Sequence, residues 1–598
     1  MRKELGRAKP TPLTAALLAT GLAVAGCGRE DAVDPVPFWE ADTETDSTSD
    51  TGIPPEDEDC PEDFVDDAGR CIRYVRFDAE TPECGFTWNT AFAEIQPAIE
   101  SAYSAALVHG TCEVWVAEGT YRIYDGSPLD SLRLRPGVAL YGGFAGYETT
   151  LVERDPAAHA TVLEGAQEDG PAAVYHVVMG ANNASLDGFT VRGGRAVGDP
   201  PHHRGGGIYM NGTATRVIGC TIEDNVALDG GGAFLYDLTP VFHETAFTGN
   251  RAERGGGLYM INGFPQLLDV RFEDNRASAD GGAFYAEQHY AGCVPSLIDV
   301  ELRGNEADGE GGALYSDGCE IVAENAAFAE NRAGSNGGAI SAYQGRVEIT
   351  DAVLEGNVAG GDGGALHVQY AKTELLRARV AGNTCARDGG GLFALTTYGS
   401  VAESRLTANR AGRNGGGASY SLDEPVIVSS VLAGNTAERG GGLYNGARSV
   451  PRVINTVFNG NRAFGDGAGV YNAELAEPEI VNTILYGDLG KEIASEWGAI
   501  AHVRYCDVMG GYPGLHNIDA DPQFLMPGWW DDAGTEQTPF DDVWHDGDYH
   551  LAASSPCIDY ADEDPSPNKD ADGNPWHDVE GAGIPDIAVD MGAYDYQP

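Results

Sequence analysis

Between Gly205 and Tyr471 the apolar positions recur from one segment to the next rather than along a helix. Three residues before a repeated Asn stand Ile222, Phe247, Phe272, Leu302, Phe328, Leu354, Val380, Leu406, Leu432 and Phe458. Five before it stand smaller residues such as Cys220, Thr245, Ala326, Ala352 and Ser430. The asparagines are Asn225, Asn250, Asn275, Asn305, Asn331, Asn357, Asn383, Asn409, Asn435 and Asn461, and every interval from Asn305 onward is 26 residues. Columns two positions apart share one face of a strand. A repeat of this length marks stacked units, none of which buries its apolar face alone. Glycine pairs such as Gly281-Gly282, Gly311-Gly312 and Gly337-Gly338 interrupt any helical run.

One such unit holds two or three short strands with tight corners, so the pattern predicts an all-β chain wound as a parallel β-helix. The Asn is the expected corner residue, because it tolerates a left-handed backbone and its amide can form a ladder from coil to coil. Some fifteen coils about 4.8 Å apart would make a rod of about 70 Å. Ahead of the repeats, Phe92, Ile95, Ile99 and Tyr103 follow helical spacing with Pro97 suited to a first turn, which predicts a helix capping the first coil. Residues 60–112 therefore form a disulfide loop and cap, 113–204 irregular first coils, 205–485 the regular repeats and 486–598 a C-terminal module.

The phrases Glu113 to Tyr121 and Leu140 to Glu148 resemble the first coils of secreted right-handed β-helix proteins, a pectate-lyase-like solenoid. Phe247 to Asn250 and Phe458 to Asn461 match an FxxN step, and Gly282-Ala283, Gly312-Ala313, Gly338-Ala339 and Gly364-Ala365 a GGA step. Both resemble the repeats of polymorphic outer-membrane proteins, a resemblance that implies surface display and adhesion. Asp521-Pro522-Gln523-Phe524, Tyr549-His550-Leu551, Ser555 to Asp559 and Asp590 to Tyr594 resemble the choice-of-anchor Q module found behind such helices.

The N-terminus adds an address. Arg2, Lys3, Arg7 and Lys9 precede an apolar run from Leu13 to Val24-Ala25-Gly26-Cys27, the pattern of an export signal over 1–26. The small residues before Cys27 resemble the lipobox of bacterial lipoproteins, which implies lipidation of Cys27. Gly28 after it implies the outer membrane, with the chain on its cell-surface or periplasmic face. Residues 27–59 are acidic, Ser/Thr-rich and poor in aliphatics, which predicts a disordered tether with a reach of roughly 30 Å. No alternating ten-residue segments of a membrane barrel occur, so lipid is expected to be the anchor.

Charge narrows the partners. The chain has 37 basic and 92 acidic residues. A net charge of −55 excludes nucleic acid as a partner. It also repels polyuronates unless a cation intervenes. Ten cysteines besides Cys27 fit an oxidising compartment. The expected pairs are Cys60 with Cys71, Cys84 with Cys112, Cys293 with Cys319 one coil apart, and Cys506 with Cys557, while Cys220 and Cys385 read as buried small residues.

Two columns carry candidate chemistry. Tyr209, Phe234, Tyr259, Tyr285, Tyr315, His367, Phe393, Tyr444 and Tyr471, with Ser341 and Ser419 in the same file, follow the glycine step. Strand alternation points them outward, where rings can either stack on sugar faces or merely on one another. Asn568, Asp570 and Asp572 occupy the first positions of a calcium-loop pattern that lacks its terminal carboxylate, so calcium is a minority expectation and no other cofactor is expected. The repeats carry no catalytic cluster, with Lys372 their lone lysine. The reading is a non-catalytic surface rod binding polysaccharide or a neighbouring cell. A polysaccharide lyase or hydrolase on the same scaffold and a passive coat or spacer remain the rivals, and a cluster of Asp, Arg, His or Lys confined to two or three coils would favour the enzyme.

Overall fold

The computed structural model describes residues 64–66, 69–79, 84–237, 239–290, 292–532, 542–579, 582–584 and 587–597. The leader, the tether, Cys27 and Cys60 lie outside them. The described chain is a parallel β-helix. Each regular coil contributes to four sheets rather than two or three, while the coils before Arg195 contribute to three. In one coil the strands are Arg216–Ile218, Thr221–Glu223, Val226–Ala227 and Ala233–Tyr236, after which Val241–His243 pairs beside Arg216–Ile218 and opens the next coil. The four sheets, in that order, hold 16, 15, 11 and 14 strands. The third is made of strands mostly two residues long, too short to show alternation, and for that reason the sequence does not announce it.

Equal-length coils place matching residues in register, as Ile222 on Phe247 and Phe247 on Phe272. These side chains fill the interior of the helix and are fully buried. The ten recurrent asparagines are fully buried as well. Asn357 shows how that is tolerated. Its Nδ2 donates to the Phe328 carbonyl and to Oδ1 of Asn383, both at 2.9 Å, while its own Oδ1 accepts from the backbone N–H and Nδ2 of Asn331 at 3.0 Å. Every donor and acceptor of the amide is thus used.

The Asn is not, however, the left-handed residue of its corner. That conformation falls one position earlier, at Asp224, Gly249, Asp274, Gly304, Glu330 and their equivalents, with φ between 52° and 67°. The preceding residue makes the bend and leaves the Asn free to turn its amide inward. The glycine step beyond the corner reflects close approach instead: a Cβ on Gly364 would lie 2.0 Å from the Gly390 carbonyl oxygen of the next coil.

The parallel ladder extends past both ends of the regular repeats. It starts at Ile72–Val75, which pairs with Cys112–Ala117, and runs to Asp507–Val508. The helix α1 (Ile95–His109) closes the first coil with Ile95, Ala98, Ile99, Ala102 and Ala105 buried, and Gly110 terminates it at φ 91°. Because Ile72 pairs with Glu113, Cys71 and Cys112 are neighbours on adjacent strands, and they form a disulfide with Cα atoms 4.8 Å apart. This overturns the expected Cys84–Cys112 and Cys60–Cys71 pairs. Cys84 is bonded in another disulfide. Cys293 and Cys319 form the expected bridge between coils, Cα atoms 4.7 Å apart.

At the far end, two antiparallel strand pairs, Phe524–Met526 with Asp548–Leu551 and Trp529–Asp531 with Val543–His545, precede an irregular stretch. This module packs on the outer face of the second sheet, where Tyr549, Leu551, Met591 and Tyr594 bury Val431, Ala433, Val457 and Ile484. Buried carboxylates organise it: Asp590 accepts from the backbone of Asp559 and Tyr596, both at 2.7 Å. Cys506 and Cys557 are buried free thiols, not a staple. The Cys557 Sγ–H instead donates to Asp507 Oδ2 at 3.4 Å.

Candidate binding face

The outward side of the fourth sheet carries the ring column. Tyr209, Phe234, Tyr259, Tyr285 and Tyr315 stack in one file with centroids 4.9–5.8 Å apart. Their spacing follows the rise between coils, so each ring face is covered by its neighbour and no sugar can enter the file. Phe234 and Tyr259 are only 1% exposed, and Tyr285 and Tyr471 7%. Of the two uses open to this column, the rings of this file show stacking on one another. It is a second apolar core, outside the first, and burial pushes the Tyr259 and Tyr285 phenols upward.

Farther along, the column is interrupted by Ser341, His367, Phe393 and Ser419, all buried. Ser341 Oγ lies 2.8 Å from Glu310 Oε2 and 3.0 Å from His367 Nδ1. A hydroxyl has one proton, and here the carboxylate takes it, so Nδ1–H of the imidazole must donate to Oγ. Burial lowers the His367 pKa to about 4, which keeps the ring neutral. The hydroxyl thus donates to the carboxylate and accepts from the imidazole, at 1% exposure.

At the N-terminal end of the column lies a group the periodic reading missed. The segment Asp199 to Arg204 departs from the repeat and brings His202, His203 and Arg204 to His176, Asp229 and Arg254. Asp229, 2% exposed, accepts from Arg254 Nε at 2.9 Å and Nη2 at 3.1 Å and from Arg204 Nε at 3.3 Å, with His203 Nε2 3.7 Å away. The guanidinium of Arg204 lies over Phe234 and that of Arg254 over Tyr259, at 4.9 and 5.0 Å. His202 stacks on Tyr175 at 4.9 Å, and His176 packs on Tyr209 at 4.7 Å. Burial lowers the His176 pKa to about 4 and lowers that of His203. The legible signal was the His-His-Arg run inside an insertion.

A third feature lies at the corner between the fourth and first sheets. Tyr343, Tyr370 and Tyr398 stand there in three successive coils, 40%, 52% and 63% exposed. Tyr343 and Tyr370 meet edge to face at 5.6 Å. Tyr290, 62% exposed, precedes them at the same corner. Their offsets drift within the repeat, which hid them from a reading by strict columns.

Two of the three calcium-loop residues, Asp570 and Asp572, are engaged in other bonds. Asp570 is buried, and its oxygens accept from the backbone of Asp572, Asn574 and Asp595 and from the Asn574 amide, filling its lone pairs. Asp572 accepts from His550 Nε2 at 2.9 Å, and Asn568 is exposed. Among the described residues no three His, Cys, Asp or Glu side chains are grouped to hold a metal ion. No helix among them is long and apolar enough to cross a membrane.

A family model described as a right handed beta helix region matches residues 206–384, and a second, described as a protein of unknown function (DUF1565), matches residues 90–271. The fold is accordingly a right-handed parallel β-helix. No curated protein sequence matches the chain. Similar solved structures include tailspike protein 3 of bacteriophage CBA120, at 12% identity and TM-score 0.32, covering 80% of this chain and 70% of that one. Pectate lyase Pel9A is similar at 12% identity and TM-score 0.24, covering 88% and 97%. PfbA, a surface adhesin of Streptococcus pneumoniae, is similar at 10% identity and TM-score 0.25, covering 75% and 97%.

Proposed function

We propose that this chain is an exported, lipid-anchored rod that binds glycans on neighbouring surfaces without transforming them. The observation that carries the reading is the row of exposed rings at Tyr343, Tyr370 and Tyr398. Phenol rings offer an apolar face to a pyranose and a hydroxyl to its rim. The Tyr343 and Tyr370 rings lie 5.6 Å apart, comparable to the length of one sugar unit. The surrounding charge is mixed, with Arg346 and Lys372 paired to Glu374, and so selects a neutral chain over a polyanion. Lipid at Cys27 would anchor the chain to the outer membrane, with the acidic segment as its tether. The test is retention of the purified chain on a panel of insoluble polysaccharides, comparing wild type with Y343A/Y370A/Y398A. Retention lost on the order of tenfold or more in the triple variant supports the reading. Equal retention of both proteins refutes it.

A second reading, an enzyme acting on polysaccharide, draws on the cluster around Asp229, where His, Arg and Asp come together outside the repeat. Appearance of new chain ends in the same incubations, abolished by H202N/H203N, would favour it.

A further inference from the structure

We infer, resting on the reading of Tyr343, Tyr370 and Tyr398 as the ring half of a glycan site, that a widened stretch of the first sheet is its specificity-determining half. Arg346, Glu348, Lys372 and Glu374 there select a neutral chain by its unsubstituted neighbouring hydroxyls. The widening is local. Along this sheet the strands are three residues long at Gln266–Leu268 and Ser296–Ile298, then five at Glu320–Glu324, Arg346–Thr350, Lys372–Leu376, Tyr398–Ala402 and Glu424–Val428, and three again at Arg452–Ile454. The five long strands run in register, so two outward files form side by side. One file reads Glu320, Arg346, Lys372, Tyr398 and Glu424, and the other Val322, Glu348, Glu374, Ser400 and Val426. Polar chemistry is thus confined to the middle coils, between valines in one file and carboxylates in the other. Tyr343 and Tyr370 stand just before these strands, and Tyr398 opens the third of the middle coils.

The four charged groups hold one another. Arg346 Nη2 lies 2.8 Å from Glu348 Oε2, Arg346 Nε donates to Glu374 Oε2 at 3.0 Å, and Lys372 Nζ lies 2.6 Å from Glu374 Oε1. Their side chains are 28–36% exposed, so the group is supported from its flanks and open to solvent above. Mutual pairing does not exhaust it. Arg346 Nη1, two of the Lys372 protons, Glu348 Oε1 and the Ser400 hydroxyl carry no further bond among the described residues.

That remainder defines the ligand. A donor and an acceptor held within one hydrogen-bond length of each other match two hydroxyls on adjacent ring carbons, one accepting and the other donating. A methyl cap on such a hydroxyl removes the proton that the carboxylate would accept, and a site built to bond a hydroxyl discriminates strongly against its loss. Charge excludes an acidic sugar. The two cations and two carboxylates sum to zero, and the exposed Glu320 and Glu424 at the ends of the file add only negative charge. What fits is a run of neutral pyranoses, stacked on the tyrosines and turning free hydroxyls to the sheet.

Insoluble cellulose, mannan and curdlan, each untreated and exhaustively O-methylated, serve as probes for the full chain. Wild type is expected to be retained on at least one untreated polysaccharide, and about tenfold or more weakly on its methylated form. K372A/E374A, which leaves the net charge unchanged, should lose that preference. R303A/E330A, the same exchange at an exposed ion pair elsewhere on the rod, should keep it. Equal retention of wild type on both forms would overturn the inference, even if K372A/E374A failed to fold. So would a folded K372A/E374A that kept the wild-type preference. In both cases a loss of retention in Y343A/Y370A/Y398A would leave the ring reading standing without a reader of hydroxyls, whereas retention of wild type on no untreated polysaccharide would overturn both.

Discussion

Asn461 donates both its backbone N–H, at 2.7 Å, and its side-chain amide, at 3.0 Å, to a single oxygen of Asp488. Asp488 occupies the place where the next asparagine of the ladder would stand. Its other oxygen is buried with no hydrogen-bond partner, as is Oε2 of Glu492. Burial and mutual repulsion drive the Glu492 carboxyl upward and burial raises Asp488, so the pair retains a proton at neutral pH. Asp488→Asn should keep both incoming bonds and let an amide N–H donate to Glu492. The variant is expected to gain about 1–3 kcal/mol in urea unfolding at pH 8. A loss of stability there would show that the carboxylate itself is required.

The buried carboxylates of the C-terminal module predict an unusual acid response. Burial raises Asp590 to about 7 and Asp507 and Asp595 to about 6, above the ordinary value near 3.8. A folded-state pKa above the unfolded one means the native state binds more protons in between. That contribution is full below about pH 4 and is lost as pH rises through the folded value. His550, raised by Asp548 and Asp572 against its burial, acts in the same sense at higher pH. Urea midpoints for the module should therefore fall from pH 4.5 to pH 7.5. A rise across that window would contradict the assignment.

The docking of the module depends on two glycines that the repeat supplies for another reason. Both Gly434 and Gly460 bend the corner before a ladder Asn, and a Cβ on them would lie 2.2 and 2.1 Å from the Trp544 ring. Gly382 has the same left-handed backbone, φ 64°, and open space beside it. Gly460→Val should release the module, seen as at least a tenfold faster proteolytic cleavage after Trp544 with the β-helix circular dichroism retained. Gly382→Val bears the backbone strain alone and should leave that cleavage unchanged. Equal effects would mean that Trp544 does not hold the module.

Much of this fold was legible because coils of equal length turn spacing in sequence into position in space. The Phe247 column, the buried Asn file and the Cys293–Cys319 bridge all follow from that one fact. Where spacing was lost, so was the reading. Asp224 and Gly249 bend the corner that the Asn was expected to bend, because any residue tolerating a left-handed backbone serves there and the column is not uniform. Cys71 finds Cys112 through a strand pairing that precedes the first full repeat. His202 and His203 sit in an insertion, and Tyr370 and Tyr398 drift by a residue or two. The features proposed to bind ligand are thus the ones that fall out of period, as expected if the repeat encodes scaffold.

That division can be tested within one residue type. Tyr259 belongs to the stacked column, 1% exposed, with its hydroxyl bonded to Glu287; Tyr343 stands at the corner, 40% exposed. Replacing the first by Ala removes a fully packed ring and opens a cavity between Phe234 and Tyr285, at an expected cost of about 3–5 kcal/mol. Replacing the second removes a partly exposed surface ring, at an expected cost of about 1 kcal/mol or less. Polysaccharide retention should reverse the order, with Y343A weakened and Y259A, where it remains folded, unaffected. If Y259A retained full stability, the column would not be a second core, and the assignment of binding to the exposed corner would lose its basis.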